Sequence, residues 1–133
     1  VHLLRNEDVV IISDFSAVDE VLTLKSYLHS IFFNLISNSI KYRRHDVKPV
    51  IEIVSSKKEN GIELLFRDNG LGIDMARKGE EIFGLYKRFH PHIEGKGVGL
   101  YMVKTQVETL GGRISLTSEV NKGTEFKILL ETA

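Results

Sequence analysis

At 133 residues the chain is long enough for one sizeable core and too short for two, so a single domain over residues 1–133 is expected. Its 42% hydrophobic and 27% charged residues point to neither a disordered nor a membrane class, and no apolar run approaches the ~20 residues of a spanning helix. Eighteen basic residues balance eighteen acidic ones, so no overall field would draw nucleic acid or an anionic membrane, and the lack of cysteine excludes disulfides and thiolate metal sites and fits a reducing, cytoplasmic compartment.

The chain opens with Val1 rather than Met and carries no signal-peptide pattern, which leads to the expectation of a piece of a longer protein. Val9-Val10-Ile11-Ile12 is short and β-branched and suits a first strand, followed by a loop from Asp14 to Asp19. From about Thr23 to Tyr42 the apolar residues Leu28, Ile31, Phe32 and Leu35 recur at spacings of three and four, the signature of an amphipathic helix. Asn34, Asn38 and Lys41 fall on one stripe beside that apolar face, so three polar tips point into one place.

After Pro49, Val50 to Val54 and Ile62 to Arg67 read as two strands of a hairpin turning around Asn60-Gly61. Ile62, Leu64, Phe66 and Asp68 share parity, so the Asp68 carboxylate leaves the strand on the core side and needs a partner there. Glycines at 70, 72, 79, 84, 95, 97 and 99 then mark a region without clear periodicity, expected to be a mobile binding loop or lid. Leu100, Val103, Val107 and Leu110 define a second helix that stops at Gly111-Gly112. A closing hairpin pairs Arg113–Ser118 with Thr124–Leu130, with Ile114 and Leu116 facing Phe126 and Ile128. The pattern predicts an α+β fold: a two-layer sandwich with a mixed, mostly antiparallel sheet packed on one side by about three helices.

Three elements carry possible chemistry. Gly95-Lys96-Gly97-Val98-Gly99 opens the second helix, where bare backbone N–H groups and the helix N-terminus suit a polyphosphate, although such a stretch is equally a flexible turn. It neither follows a strand as a dinucleotide-binding turn does nor ends in the Gly-Lys-Ser/Thr of a P-loop. Asp68-Asn69-Gly70-Leu71-Gly72-Ile73 reads alone as a tight turn capped by Asp68, and the Asn34, Asn38, Lys41 stripe as a solvated helix face.

Together these elements resemble the GHKL superfamily of ATP-binding domains, and most closely the catalytic domain of sensor histidine kinases. Asn34 to Tyr42 is similar to the family's N box, Asp68 to Gly72 to its first glycine box, and Ile82 to Phe89 to its F box. Gly95 to Leu100 resembles the second glycine box, and Gly123 to Phe126 the last short box. The motifs stand in the family's order and span nearly the whole chain.

The resemblance implies ATP and Mg²⁺ as cofactors and assigns roles. Asn38 would ligate Mg²⁺ through its amide oxygen, supported one turn earlier by Asn34. Lys41 would place a charge on the phosphates and Tyr42 would pack on the purine. Asp68 would accept a hydrogen bond from the adenine amino group, where guanine presents a carbonyl. Gly70 and Gly72 would leave room for the base beside Ile73, and Thr124 would complete the Asp68 network through its hydroxyl. Phe83 and Tyr86 would anchor a lid closing over the triphosphate, with Arg88 near the γ-phosphate or solvated at the surface. Gly95, Lys96, Gly97, Val98, Gly99 and Leu100 would cradle the phosphates at the start of the second helix.

Some residues depart from the family pattern. Gyrase-like and chaperone-like relatives carry a water-activating glutamate where this chain has Asn34, whose amide is no base, so rapid ATP hydrolysis is not expected. None of His2, His29, His45, His90 or His92 lies in the motif where such kinases accept phosphate. Ser39, Arg43 and Tyr101 stand where the family more often has a small or apolar residue. The expected function is transfer of the ATP γ-phosphoryl group to a histidine on a separate dimerisation and acceptor helix, within a homodimeric parent kinase that hands it on to a response regulator. The competing readings are an anti-sigma-type serine kinase of the same superfamily and a regulatory module that binds ATP without transfer.

Overall fold

The period-two burial of apolar residues sets the sheet. Along Val50–Lys58 the buried side chains are Ile51, Ile53 and Ser55, and along Gly61–Asp68 they are Ile62, Leu64 and Phe66, each alternating with more exposed side chains. The computed structural model describes residues 10–16, 25–73, 75 and 99–131. Within them the chain runs β1 (Val10–Asp14), α1 (Lys25–Lys41), β2 (Val50–Lys58), β3 (Gly61–Asp68), α2 (Gly99–Thr109), β4 (Arg113–Glu119) and β5 (Gly123–Glu131). The five strands form one sheet in the order β1-β2-β3-β5-β4. β1 runs parallel to β2, and the other pairings are antiparallel, as a mixed and mostly antiparallel sheet requires.

The differences from the sequence expectation are local. β1 extends to Asp14 because its backbone stays in register with β2 up to Asp14↔Val54. The first hairpin turns on Glu59 and Asn60, since Lys58 pairs with Gly61 and Gly61 therefore opens β3. The second hairpin has the expected facing pairs, Ile114↔Ile128 and Leu116↔Phe126. The described residues carry two helices where about three are expected, and the lid anchors Phe83 and Tyr86, with Arg88, lie outside them.

Both helices pack one face of the sheet. Ile31, Leu35 and Ile36 from α1 and Leu100, Val103 and Val107 from α2 join Ile51, Ile53, Leu64, Phe66, Phe126, Ile128 and Leu130 in one core. Full burial of each such side chain contributes roughly 1.5–3 kcal/mol. Phe32 adds an edge-on contact to Phe66, with ring centroids 5.0 Å apart. On the opposite face Arg67 bridges Glu52 at 3.0 Å and Glu125 at 2.6 Å, an exposed ladder that adds at most about 1 kcal/mol per pair.

The helix ends decide where the functional residues sit. α2 stops in a Schellman motif, with Gly112 N–H on the Val107 carbonyl, Gly111 N–H on the Glu108 carbonyl, and Gly111 at φ 80°. α1 ends as the Arg43 guanidinium donates to the Ile40 carbonyl at 2.9 Å, which leaves Tyr42 at the turn between helix and loop. Among the described residues no helix is long and apolar enough to cross a membrane.

Candidate functional site

Asp68 is the last residue of β3, on the core-facing parity of the strand, and its carboxylate is held from three directions. Oδ1 accepts the Gly70 N–H at 2.9 Å and the Thr124 N–H at 3.2 Å, and Oδ2 accepts the Ser39 hydroxyl at 2.8 Å. Burial pushes the carboxyl above its ordinary value, and the bonds from Gly70, Ser39 and Thr124 pull partly back. Thr124 therefore contributes its backbone rather than the expected hydroxyl. That hydroxyl sits 2.8 Å from Ser118 Oγ, because Ser118 is its cross-strand partner.

The loop after β3 is packed backbone against backbone. Leu71 N–H donates to the Tyr42 carbonyl at 2.9 Å, and Asn121 N–H donates to the Leu71 carbonyl at 2.7 Å. Gly72, at φ 72°, has no space for a β-carbon because the Glu119 carbonyl occupies it. A β-carbon on Gly70 would likewise meet the Tyr42 carbonyl oxygen at 2.7 Å. These glycines make room for neighbouring backbone, and Gly72 also lines the cleft. Asn69 fastens the other side: its side chain accepts Val50 N–H at 2.9 Å and donates to the Lys48 carbonyl at 3.0 Å.

At the far end of the site α1 faces the start of α2. The Asn34 amide nitrogen donates to the Ser30 carbonyl at 3.0 Å, and since a carbonyl only accepts, this fixes the amide's orientation. Its oxygen then points toward α2. A β-carbon on Gly99 would stand 3.5 Å from Asn34 Oδ1, 3.7 Å from Asn38 Oδ1 and 4.0 Å from the Asn38 amide nitrogen, so both amides stand beside the first residue of α2. Lys41 is exposed, with its ammonium 5.6 Å from the centroid of the Tyr42 ring.

Between these parts lies one narrow cleft. It is lined by seven of the predicted residues, Asn38, Tyr42, Asp68, Gly72, Ile73, Leu100 and Thr124, together with Phe126. Its open room is about 20 Å³, space for roughly one water, so a ring-sized ligand requires the lining side chains to move apart. Asn34 and Gly99 stand beside the cleft, Lys41 stands next to Tyr42, and Gly70 lies under the Tyr42 carbonyl. The predicted Phe83, Tyr86, Arg88, Gly95, Lys96, Gly97 and Val98 lie outside the described residues.

Sequence reasoning missed two hydroxyls. Ser39 is visible only as an unusual residue inside the asparagine motif, and its bond to Asp68 depends on how α1 lies on the sheet. Ser118 accepts Ile73 N–H at 2.8 Å and donates to the Gly123 carbonyl at 2.9 Å, tying the loop to the last hairpin. Its one available signal is register, since it stands opposite Thr124.

Comparison with known proteins agrees with this geometry. Residues 23–133 match the family of histidine kinase-, DNA gyrase B- and HSP90-like ATPases. The methanogenesis regulatory histidine kinase FilI of Methanothrix harundinacea is 43% identical over 101 residues, covering 74% of this chain and 11% of that protein. Cyanobacterial phytochrome A of Nostoc sp. is 35% identical over 108 residues, covering 80% of this chain and 14% of that protein. Among solved structures, the mycobacterial sensor histidine kinase MprB superposes with a TM-score of 0.82 at 22% identity, covering 96% of this chain and 86% of that one, a likeness of fold. The chain thus spans about a tenth to a seventh of these two relatives' lengths. With a family match over most of its length and a buried aspartate, an asparagine stripe and a glycine turn set around one cleft, the chain belongs to the histidine kinase-, DNA gyrase B- and HSP90-like ATPases, as a catalytic ATP-binding domain of the sensor histidine kinase type.

Proposed function

We propose that this domain binds Mg²⁺-ATP and donates the γ-phosphoryl group to a histidine on a separate dimerisation and acceptor helix, as one step of two-component signalling. The observation that carries the reading is the carboxylate of Asp68, buried at the cleft and supplied with three donors, while the Asn38 amide lines the same cleft. Asp68 keeps acceptor capacity for the adenine amino group. Tyr42 and Ile73 give the purine apolar cover.

The donor set suits the metal. Among the described residues no cluster of three or more His, Cys, Asp or Glu could hold an ion, whereas the amides of Asn34 and Asn38 both stand beside Gly99. Hard oxygen ligands from one or two side chains, completed by phosphate and water, are what Mg²⁺ accepts. Asn38 would hold it, with Asn34 in support. Mg²⁺ bound with ATP supplies charge neutralisation at the phosphates. Phosphoryl transfer asks the protein mainly to position and to stabilise charge, and Lys41 with the start of α2 at Gly99 would serve that purpose, as would Arg88 and the glycines from Gly95, which lie outside the described residues. Asn34, an amide, offers no base to activate water, so nucleotide is kept for transfer. The reading places the domain in the cytoplasm, beside the acceptor helix of its own kinase dimer and upstream of a response regulator.

The test is incubation with γ-labelled ATP, first alone and then with the acceptor helical hairpin of the parent kinase. ATP should bind without labelling the isolated chain, and the hairpin should acquire label that is lost in acid and kept in base. Rapid self-labelling, fast hydrolysis without acceptor, or acid-stable phosphoserine on a partner would overturn the reading.

A further inference from the structure

Ser39 lies in the last turn of α1, between Asn38 and the turn at Tyr42. A serine within a helix commonly turns its hydroxyl back to the carbonyl one turn earlier. Ser39 instead donates across the cleft end to Asp68 Oδ2 at 2.8 Å. Among the described residues it is the only side chain that donates to Asp68, since the other two donors are the backbone N–H groups of Gly70 and Thr124, both on Oδ1. The neighbouring Thr124 hydroxyl is engaged with Ser118.

We infer that Ser39 is a positioning residue that sets purine selectivity: by giving its single proton to Asp68, it turns the pair into an acceptor-only edge that takes an amino group and refuses an oxo group. The inference rests on the ATP-binding reading and adds to it. A hydroxyl has one proton and two lone pairs, so once Ser39 has donated, it can only accept from a ligand. Oδ2, with one lone pair used, can only accept as well. A purine bearing an amino group at the six position meets both demands. One bearing an oxo group sets acceptor against acceptor and leaves buried lone pairs unmatched.

Without the hydroxyl, Oδ2 loses its orienting donor and the buried carboxyl takes up a proton more readily. A protonated Asp68 can offer a donor to an oxo group. Selectivity should therefore fall even where the cleft keeps its shape, which a merely structural role for Ser39 does not produce.

The experiment compares ATP with inosine triphosphate, whose purine differs in having an oxo group and a ring N–H in place of the amino group and bare nitrogen. Binding to the full chain is measured calorimetrically for the parent, Ser39→Ala and Ser39→Thr. Alanine improves helix propensity, so the fold should be kept, and a melting curve checks it. The parent should prefer ATP. Ser39→Ala should reduce that preference roughly tenfold or more, the scale of one charge-assisted hydrogen bond, and Ser39→Thr, which keeps the hydroxyl, should retain most of it. An unchanged ATP to inosine triphosphate ratio in Ser39→Ala, whether both affinities fall together or neither does, overturns the inference, and so does a threonine variant that behaves like alanine. A parent chain that binds neither nucleotide refutes the ATP reading itself, and this inference with it.

Discussion

Gly70 lies so close beneath the end of α1 that a β-carbon on it would stand 2.7 Å from the carbonyl oxygen of Tyr42, the same oxygen that accepts Leu71 N–H at 2.9 Å. Backbone meets backbone there, so no rotamer change relieves the overlap. Gly70→Ala should cost about 1–3 kcal/mol, in the range of overpacking in a tight interior. It should also weaken ATP binding, because the new methyl would press on Asp68 Oδ1, 3.1 Å from the same point. Urea unfolding and a nucleotide titration check both, and a variant matching the parent in stability and affinity refutes the packing argument.

Asp68→Asn should separate stability from function. Burial raises the carboxyl's pKa in the folded chain, so the favourable contribution exists below the ordinary value of 3.8 and is lost as pH rises through the folded pKa. Asparagine has no such loss. Its stability relative to the parent should therefore improve from about pH 3.8 upward and level off once the parent's Asp68 is ionised. ATP affinity should drop strongly because the charged acceptor is gone. Denaturant melts in acid and near neutrality test the sign, and a variant whose relative stability declines with pH contradicts it.

Asn38→Ala should weaken Mg²⁺-ATP binding more than binding of ATP in a chelator. The side chain lines the cleft and its amide stands beside Gly99, so in the proposed reading its loss removes a metal ligand more than a base contact. Paired titrations with and without Mg²⁺ decide between the two. Equal loss under both conditions would mean that Asn38 shapes the cleft and holds no metal.

Gly99→Ala should give a chain that is more stable and less able to bind. The added carbon meets only ordinary contacts, at 3.5 Å from Asn34 Oδ1 and 3.7 Å from Asn38 Oδ1, and alanine at a compatible position stabilises by about 0.4–1 kcal/mol. The same carbon fills the space between those oxygens and the start of α2. A higher melting temperature with weaker Mg²⁺-ATP binding is the expected pair of results. A rise in affinity, or a clear fall in stability, counts against this account of the asparagine stripe.

Where the fold and the site were legible, the reason is periodicity. Parity alone carries Asp68 to the core side of β3, and helical spacing alone brings Asn34 and Asn38 onto one stripe. The facing pairs Ile114↔Ile128 and Leu116↔Phe126 follow from the same alternation. Contacts between elements were not legible in that way. Whether Thr124 offers its hydroxyl or its N–H depends on Ser118 standing opposite, and why Gly72 must be glycine depends on the Glu119 backbone lying against it. Local pattern reports which face a residue takes, whereas the approach of one backbone to another is decided by the assembled sheet.

The turn joining β4 to β5 has a consequence for cutting the chain. Hairpin tips usually tolerate nicks, insertions and new termini. Here the tip residue Asn121, at φ 62°, holds the Leu71 carbonyl, and its neighbour Gly123 lies directly against the Asp68 carbonyl. A protease cut or a circular permutation between residues 120 and 122 would leave the core strands paired yet free the loop that carries Gly70 to Ile73 from its Asn121 anchor. Of the two hairpin tips among the described residues, the one at Glu59 and Asn60 is then the safer place to open the chain or graft a label.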